Sequence, residues 1–419
     1  MIIRPNRICN MDGFTTIEKD TLNLTITNMR FQDFYKAIVF TDYKQLDEIQ
    51  NTSIDVIIFT GFAGSGHFSA AYAIAKQLQK EEKDVVIIDL FAMSLNKAAF
   101  LADKFWRFVS RYAQDLFVYF CDKVSNSKGL EQNYFFMKNA NIDPMKNFIK
   151  EKNVKALLST YIFPSVIMSR FKDVSPNLGV IATDHSAVGM LGELYNDISD
   201  ISLFVPSIDV YNSAKNMYHK HHDSDYKELI ILGSVPCMVT KELNQRLGSK
   251  KEKGLLTYFV GGGVGIGYGI QYVPELIEKY IGEIIIVCGD NKKWEKKVNK
   301  FLDSKPYLKS RVTVLGYVVP EVAIKLMQMS EIVLAKAGGI TSSEINSLEN
   351  SINIFIGNIK GHEENQAQLF HELGYATNCD NINSVLRTIS IGKKNKSILN
   401  EPDKKPAIKI ISNWIQETI

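Results

Sequence analysis

The sequence predicts an α/β protein built from two consecutive parallel-sheet domains. Three observations carry this expectation. Runs such as DVIIFT (55–60) and EIIIVCG (283–289) are apolar on both faces, as strands are when helices cover both sides of a parallel sheet. Stretches with helical spacing separate most of these runs. The order strand, glycine loop, helix then occurs twice, on either side of a polar stretch from Thr240 to Gly254 that carries Lys250, Lys251, Glu252 and Lys253 in a row and reads as a linker.

The elements follow in order. The first 53 residues stand outside the pattern and read as an N-terminal extension (1–53), in which Leu22, Leu24 and Ile26 alternate like one short strand and Ala37 to Thr41 like a second. The first domain (54–238) opens with DVIIFT. A helix from Ser69 to Lys80 follows, with Ala70, Ala71, Ile74 and Leu78 on one face. Further strands are expected at VVIIDL (85–90), ALLST (156–160), LGVIAT (178–183), ISLFV (201–205) and LIIL (229–232). The second domain (254–392) repeats the scheme with LLTYFV (255–260), EIIIVCG, VTVLGYV (312–318), IVLA (332–335) and INIFIG (352–357). A closing segment (393–419) ends in a helix from Ile408 to Ile419. In open α/β sheets ligands bind beyond the carboxyl ends of strands, so the functional residues should follow these runs and face a cleft between the domains.

Composition narrows the class. The chain has 419 residues, 45% apolar and 23% charged, which excludes disorder as the main state and a small disulfide-stapled scaffold. With 49 Lys and Arg against 46 Asp and Glu, the net charge of +3 gives no global argument for a nucleic-acid partner, and none is expected. Cys9, Cys121, Cys237, Cys288 and Cys379 lie far apart without a C-x-x-C, which excludes a zinc ribbon and a thioredoxin motif and fits reduced cysteines in a cytoplasmic protein. The N-terminus shows no apolar signal region, and no apolar run approaches the ~20 residues a bilayer span needs.

Three glycine loops carry the candidate chemistry. G-F-A-G-S-G-H (61–67) lacks the lysine and hydroxyl of a phosphate loop, since His67 and Phe68 stand in their places. It is either a structural turn with a capping histidine or a device that presents His67 at a strand end. The second loop, Gly261 to Gly269, permits close backbone approach to a ligand, with Gly262 and Gly263 the leading contacts. The third, IVLAKAGGITSSE (332–344), runs through Gly338 and Gly339 into a helix expected to open at Thr341, Ser342 and Ser343. Such a helix start is an anion site suited to a diphosphate. Glu344, expected in the first turn, is either a favourable helix-dipole carboxylate or an acceptor for ribose hydroxyls. HKHHDSD (219–225), with Asp223 and Asp225, reads as a polar loop, and no metal site is expected.

Taken together, VTVLGYV, then SEIVLAKAGGITSSE (330–344), then GHEENQAQLF (361–370), supported by GSGHFSAA (64–71), ATDHS (182–186) and VCGDNKK (287–293), resemble a known family. It is that of the two-domain glycosyltransferases that include processive diacylglycerol glucosyltransferase, monogalactosyldiacylglycerol synthase and, more distantly, the peptidoglycan GlcNAc transferase. The resemblance covers about 54–392. It implies a GT-B fold, two Rossmann-like domains with parallel sheets facing a cleft, and inverting transfer of a sugar from a UDP-sugar to a hydroxyl of a lipid-like or hydrophobic acceptor. It also implies that UDP-sugar is a co-substrate, with no separate cofactor. Gly338, Gly339, Ile340 and Thr341 would surround the diphosphate, Glu344 would hold the ribose, and main-chain groups of Tyr317 and Val318 would meet the uracil. His362 and Glu363 would meet the sugar hydroxyls, and His67 would be the general base, with Asp184 and His185 as further catalytic candidates in the acceptor region. A neutral imidazole suits the base role, and a helix N-terminus suits the leaving diphosphate.

The acceptor motif differs from that of the lipid-glycosylating relatives. TDHSAVGM places His185 directly after Asp184 and Val188 near the expected histidine. A natural-product glycosyltransferase with a soluble acceptor, a UDP-GlcNAc 2-epimerase-like enzyme and an inactive nucleotide-binding descendant therefore stay open. The stretch Leu95 to Lys123 interleaves Phe105, Phe108, Tyr112 and Tyr119 with Lys104, Arg107 and Arg111. It fits an interfacial helix touching the inner face of the cell membrane, or a core helix walling the acceptor site.

Overall fold

The structure is a computed structural model that describes residues 14–17, 24–27, 30–62, 65–94, 109, 116, 140–185, 200–217, 227–238, 251–359, 363–397 and 405–419. They fall into two compact units. One holds the described residues of Tyr35–Cys237 and Lys405–Ile419, the other those of Asn10–Phe34 and Met238–Lys404. The stretches at 95–108, 117–139 and 219–225, and with them most of the basic-aromatic helix read as either interfacial or a wall of the acceptor site and the HKHHDSD loop, lie outside the described residues. Among the described residues no helix is long and apolar enough to cross a membrane.

Strands β1 (Phe14–Ile17) and β2 (Leu24–Thr27) form an antiparallel pair. Helix α1 (Phe31–Ile38) follows. The strand expected at 37–41 does not form: Ala37 and Ile38 close the helix, in which Phe31, Phe34, Tyr35 and Ile38 recur at i, i+3, i+4 and i+7 and all are buried. Only Phe40 behaves as expected of a strand residue, bridging in parallel to Ile88.

In the first unit β3 (Val56–Thr60), β4 (Val85–Asp89), β5 (Ala156–Ser159), β6 (Asn177–Ile181), β7 (Ile201–Val205) and β8 (Glu228–Ile231) form one six-stranded sheet in the order β4-β3-β5-β6-β7-β8. Every pairing is parallel. Strands β3 and β4 are buried at all five positions, which is why they read as unbroken apolar runs. Helix α2 (Ser65–Lys80) starts four residues before the expected Ser69 and buries Phe68, Ala70, Ala71, Ile74 and Leu78. The C-terminal helix Ala407–Thr418 belongs to this unit. Its Trp414 meets the Phe204 ring edge-on at 5.3 Å and donates its indole N–H to Glu228 at 3.1 Å. The Asn177 side chain donates to the carbonyl of Thr418.

In the second unit β9 (Glu252–Phe259), β10 (Glu283–Val287), β11 (Val312–Leu315), β12 (Ser330–Ala335), β13 (Ile352–Phe355) and the short β14 (Thr377–Asn378) form another six-stranded sheet, ordered β11-β10-β9-β12-β13-β14 and parallel throughout. Strand β14 is not expected from the residue pattern. The supposed linker ends early, because β9 starts at Glu252: the N–H of Gly254 donates to Glu331 and its carbonyl accepts from Tyr280.

The strand orders locate the sites. In the first sheet the chain reverses its direction of growth between β3 and β5, in the second between β9 and β12. Each reversal splits two neighbouring loops apart beyond the strand ends, and ligands bind there. The described loop residues involved are 61–62 and 160–161 in one unit, 260–268 and 336–338 in the other.

Candidate functional site

In the first unit His67 sits in the first turn of α2, at the β3/β5 reversal. Its Nδ1 lies 2.8 Å from the carbonyl oxygen of Thr160, which follows β5. A carbonyl can only accept, so Nδ1 carries the proton, and in the neutral ring Nε2 then keeps the lone pair. The Thr183 hydroxyl, beyond the end of β6, is 2.8 Å from the same Nδ1 and serves as a second acceptor. The Tyr161 ring packs on the imidazole with centroids 4.9 Å apart. Burial, with Asp89 nearby, drives the Tyr161 phenol far above its ordinary value.

Tyr161 also explains the first glycine of the loop. A Cβ on Gly61 would come within 2.1 Å of the Tyr161 ring, so this glycine makes room for an aromatic side chain. Asp184 and His185 follow Thr183 directly in the chain. Burial pushes the His185 imidazole down to about 4, which keeps it neutral near pH 7 and makes it a weak base. Thr160, Tyr161 and Thr183, which hold His67, were not singled out from sequence. Their only local signal is that they follow buried strands.

In the second unit the glycine loop leads out of β9 and is fastened to the turn after β10. The N–H of Asp290 donates to the carbonyl of Gly263 at 2.9 Å, and the Asn291 amide donates to the carbonyl of Gly265 at 2.8 Å. Gly265 (φ 73°) faces Asn291 so closely that a Cβ would lie 2.5 Å from its Cβ. Gly262 (φ 63°) is different: a Cβ there would meet nothing nearer than Lys336 Cε at 3.8 Å.

After β12 the chain passes Lys336 and Ala337 to Gly338, the N-cap of α3 (Gly339–Asn346). The helix opens at Gly339, two residues before the expected Thr341, so Glu344 is its sixth residue and lies past the first turn. The first backbone bond of the helix runs from Ser342 N–H to Gly338 carbonyl. The N–H groups of Gly339, Ile340 and Thr341 precede it and have no intrahelical acceptor.

A polar frame holds this turn. Gln366 donates to the Ala337 carbonyl and to Ser342 Oγ, both at 2.7 Å, and the Ala337 N–H donates to Asn358 at 2.8 Å. The buried Glu363 carboxylate pairs with the Lys336 ammonium and accepts from the N–H of Ile359 at 2.8 Å. Lys336, Asn358 and Gln366 were not assigned from sequence. His362 lies outside the described residues.

Glu344 is the exception in this frame. It is 8% exposed, and among the described residues no donor reaches its carboxylate. Burial pushes its carboxyl up to about 8. A desolvated carboxyl without partners is costly, and folded proteins usually satisfy or remove such a group.

Tyr317 and Val318, beyond β11, are both buried. The rings of Phe31 and Phe34 lie 5.5 and 6.2 Å from that of Tyr317. Arg30 Nε donates to Asp290 Oδ1 at 3.2 Å.

No protein-family model matches the sequence, and no curated protein does. Solved structures match the fold. UDP-GlcNAc 2-epimerase from Neisseria meningitidis is 14% identical, with a TM-score of 0.50 over 86% of this chain and 99% of that one. MurG from Acinetobacter baumannii is 13% identical (TM-score 0.47, 87% and 99% covered), and a glycosyltransferase from Rickettsia africae is 11% identical (0.43, 88% and 94%). The fold is thus a two-domain α/β architecture of the GT-B kind, with two six-stranded parallel sheets.

Proposed function

We propose that the chain is an inverting glycosyltransferase that moves a sugar from a UDP-sugar to a hydroxyl of a hydrophobic, lipid-like acceptor. The observation that carries the donor part is Glu344: a buried carboxyl that no donor among the described residues reaches, on the helix whose open N–H groups follow Gly338. A ribose diol would supply the missing hydrogen bonds, and a diphosphate would take up Gly339, Ile340 and Thr341 N–H. The acceptor class rests on the sequence resemblance.

In this reading the acceptor hydroxyl gives its proton to Nε2 of His67. Its oxygen attacks the anomeric carbon opposite the leaving group, forming the new C–O bond. The bond from that carbon to the diphosphate breaks, and its electron pair stays on the phosphate oxygen, where the helix N–H groups stabilise the charge. Thr160 and Thr183 fix the proton on Nδ1 throughout. His185, held neutral by burial, is the poorer base. The reaction is proposed to use UDP-sugar as co-substrate without a separate cofactor.

The test combines binding with transfer. UDP should raise the melting temperature of the protein, and labelled UDP-sugar should yield label in organic-extractable material. His67→Gln should slow transfer about 10²–10⁴-fold, the usual worth of general base catalysis, with UDP affinity unchanged. Stabilisation by non-uridine nucleotides alone would sink the donor assignment. Epimerised UDP-sugar formed without any acceptor would replace transfer by epimerisation, and label entering only water-soluble products would move the acceptor class.

A further inference from the structure

The N-terminal extension has no place in the chemistry above, yet its residues Arg30 to Phe34 group with the second unit and touch two of that unit's loops. Phe31 and Phe34 are almost fully buried, at 0% and 3% exposure, and both rings face Tyr317 after β11. Arg30 immediately precedes α1, so the two phenylalanines fix where its side chain starts. Asp290, after β10, fixes where it ends, through the 3.2 Å bond from Nε to Oδ1. The Asp290 side chain is 2% exposed, whereas that of Arg30 is 51% exposed. Among the described residues no other group accepts from the guanidinium, so most of its five N–H donors remain for a ligand.

We propose that Arg30 recognises the nucleobase of the donor, its guanidinium donating to the base's carbonyl oxygens while Phe31 and Phe34 hold Tyr317 behind it. The inference rests on the nucleotide-sugar reading above and deepens it. Strand order gives the direction. Along the sheet the sequence is β11, β10, β9, β12, and the Gly338 helix start follows β12. Asp290 is two strand spacings away from β12, roughly 10 Å, and Tyr317 three, roughly 14 Å. A ligand with its diphosphate at Gly338 and its ribose at Glu344 has only its base left to reach toward Asp290 and Tyr317. Arginine donates and cannot accept, so it selects keto-bearing bases such as uracil over surfaces of amino donors. The planar fork, fixed at Nε by a buried carboxylate, is already oriented for that contact.

Calorimetry on the full chain with UDP and with ribose 5-diphosphate, which lacks the base, tests this. Wild-type protein should bind UDP more tightly than ribose 5-diphosphate. Arg30→Ala should weaken UDP about tenfold and leave ribose 5-diphosphate unchanged, so that the preference for the base collapses. Arg30→Lys keeps the pairing with Asp290, and so guards against a folding defect, but loses the fork; it should show the same selective loss. Equal weakening of both ligands, or unchanged UDP affinity in both variants, would overturn the proposal. Failure of the underlying donor reading looks different, because wild-type protein would then bind neither ligand.

Discussion

The two units carry the same kind of sheet and place a glycine loop at the same kind of strand reversal, yet they treat their polar groups in opposite ways. In the first, His67 is held at Nδ1 by Thr160 and Thr183, and Asp89 by the Tyr35 hydroxyl and the N–H of Ala92. In the second, Lys336, Glu363, Asn358 and Gln366 satisfy one another around the loop, but Glu344 and the first helix N–H groups do not share in the network. An internally satisfied group is held in place, whereas a buried group without partners costs free energy until a ligand arrives; under the proposed function the first arrangement suits a base and the second a binding site.

The largest way to break this contrast is Trp414→Ala. Trp414 is 5% exposed and anchors the C-terminal helix on Phe204 and Glu228 of the first unit. Removing so large a buried ring should cost about 3–5 kcal/mol, read from urea denaturation. UDP affinity below the transition should not change, since every residue proposed to hold the donor lies in the other unit. Lost UDP binding in folded protein would show that the two regions are not independent.

Glu344 gives the next effect, through pH. Its carboxyl is pushed up to about 8 in the folded chain from an ordinary 4.5. The folded state therefore keeps a proton that the unfolded state has lost between those values. Stability conferred by the protonated group is complete below about 4.5, falls as pH rises toward 8, and is flat above it. Glu344→Gln should remove that slope and make the protein more stable at pH 8, by a few kcal/mol at most. In the wild type, hydroxyl donors from a ribose favour the carboxylate, so UDP binding at pH 7 should release close to one proton. Calorimetry in buffers of different ionisation enthalpy measures it, and zero proton release would separate Glu344 from the ribose.

Much of this was legible in the chain. The buried strands of both sheets stand out because each is apolar on both faces, and the GGITSSE stretch announces a helix start at a strand end. What escaped the sequence depends on partners far away. The burial of Glu344 depends on what packs around α3, and a carboxylate six residues into a helix looks the same on paper when solvated. Lys336 reads as a surface cation until Glu363 is seen beside it. The helix at 31–38 did have the right spacing, but the β-branched, aromatic run through Phe40 resembled a strand, and Phe40 does form one bridge. β14 has only two residues, too few for any period to show.

The two glycines in the second loop sharpen the contrast on a smaller scale. Gly265→Ala meets both left-handed backbone strain and Asn291 at 2.5 Å, whereas Gly262→Ala meets only the strain. The second variant should lose about 1–2 kcal/mol, and the first clearly more. If the open side of Gly262 is ligand space, its alanine should also weaken UDP binding beyond what the stability loss explains, as measured by titration well below the melting temperature.

The smallest expected effect lies at His67, where Thr183→Val removes one hydroxyl and keeps the shape. The hydroxyl is a second acceptor for the Nδ1 proton, and Thr160 remains as the first. The tautomer should therefore survive, and the Tyr161 ring still packs on the imidazole. One neutral hydrogen bond is worth about 0.5–1.5 kcal/mol, so the transfer rate should fall by roughly threefold to tenfold with UDP affinity unchanged. A loss as large as that of His67→Gln would mean that Thr183, and not the Thr160 carbonyl, sets the proton on the ring. No loss at all would mean that the carbonyl does so alone, and that the first unit holds its base by the main chain rather than by a side chain that can be exchanged.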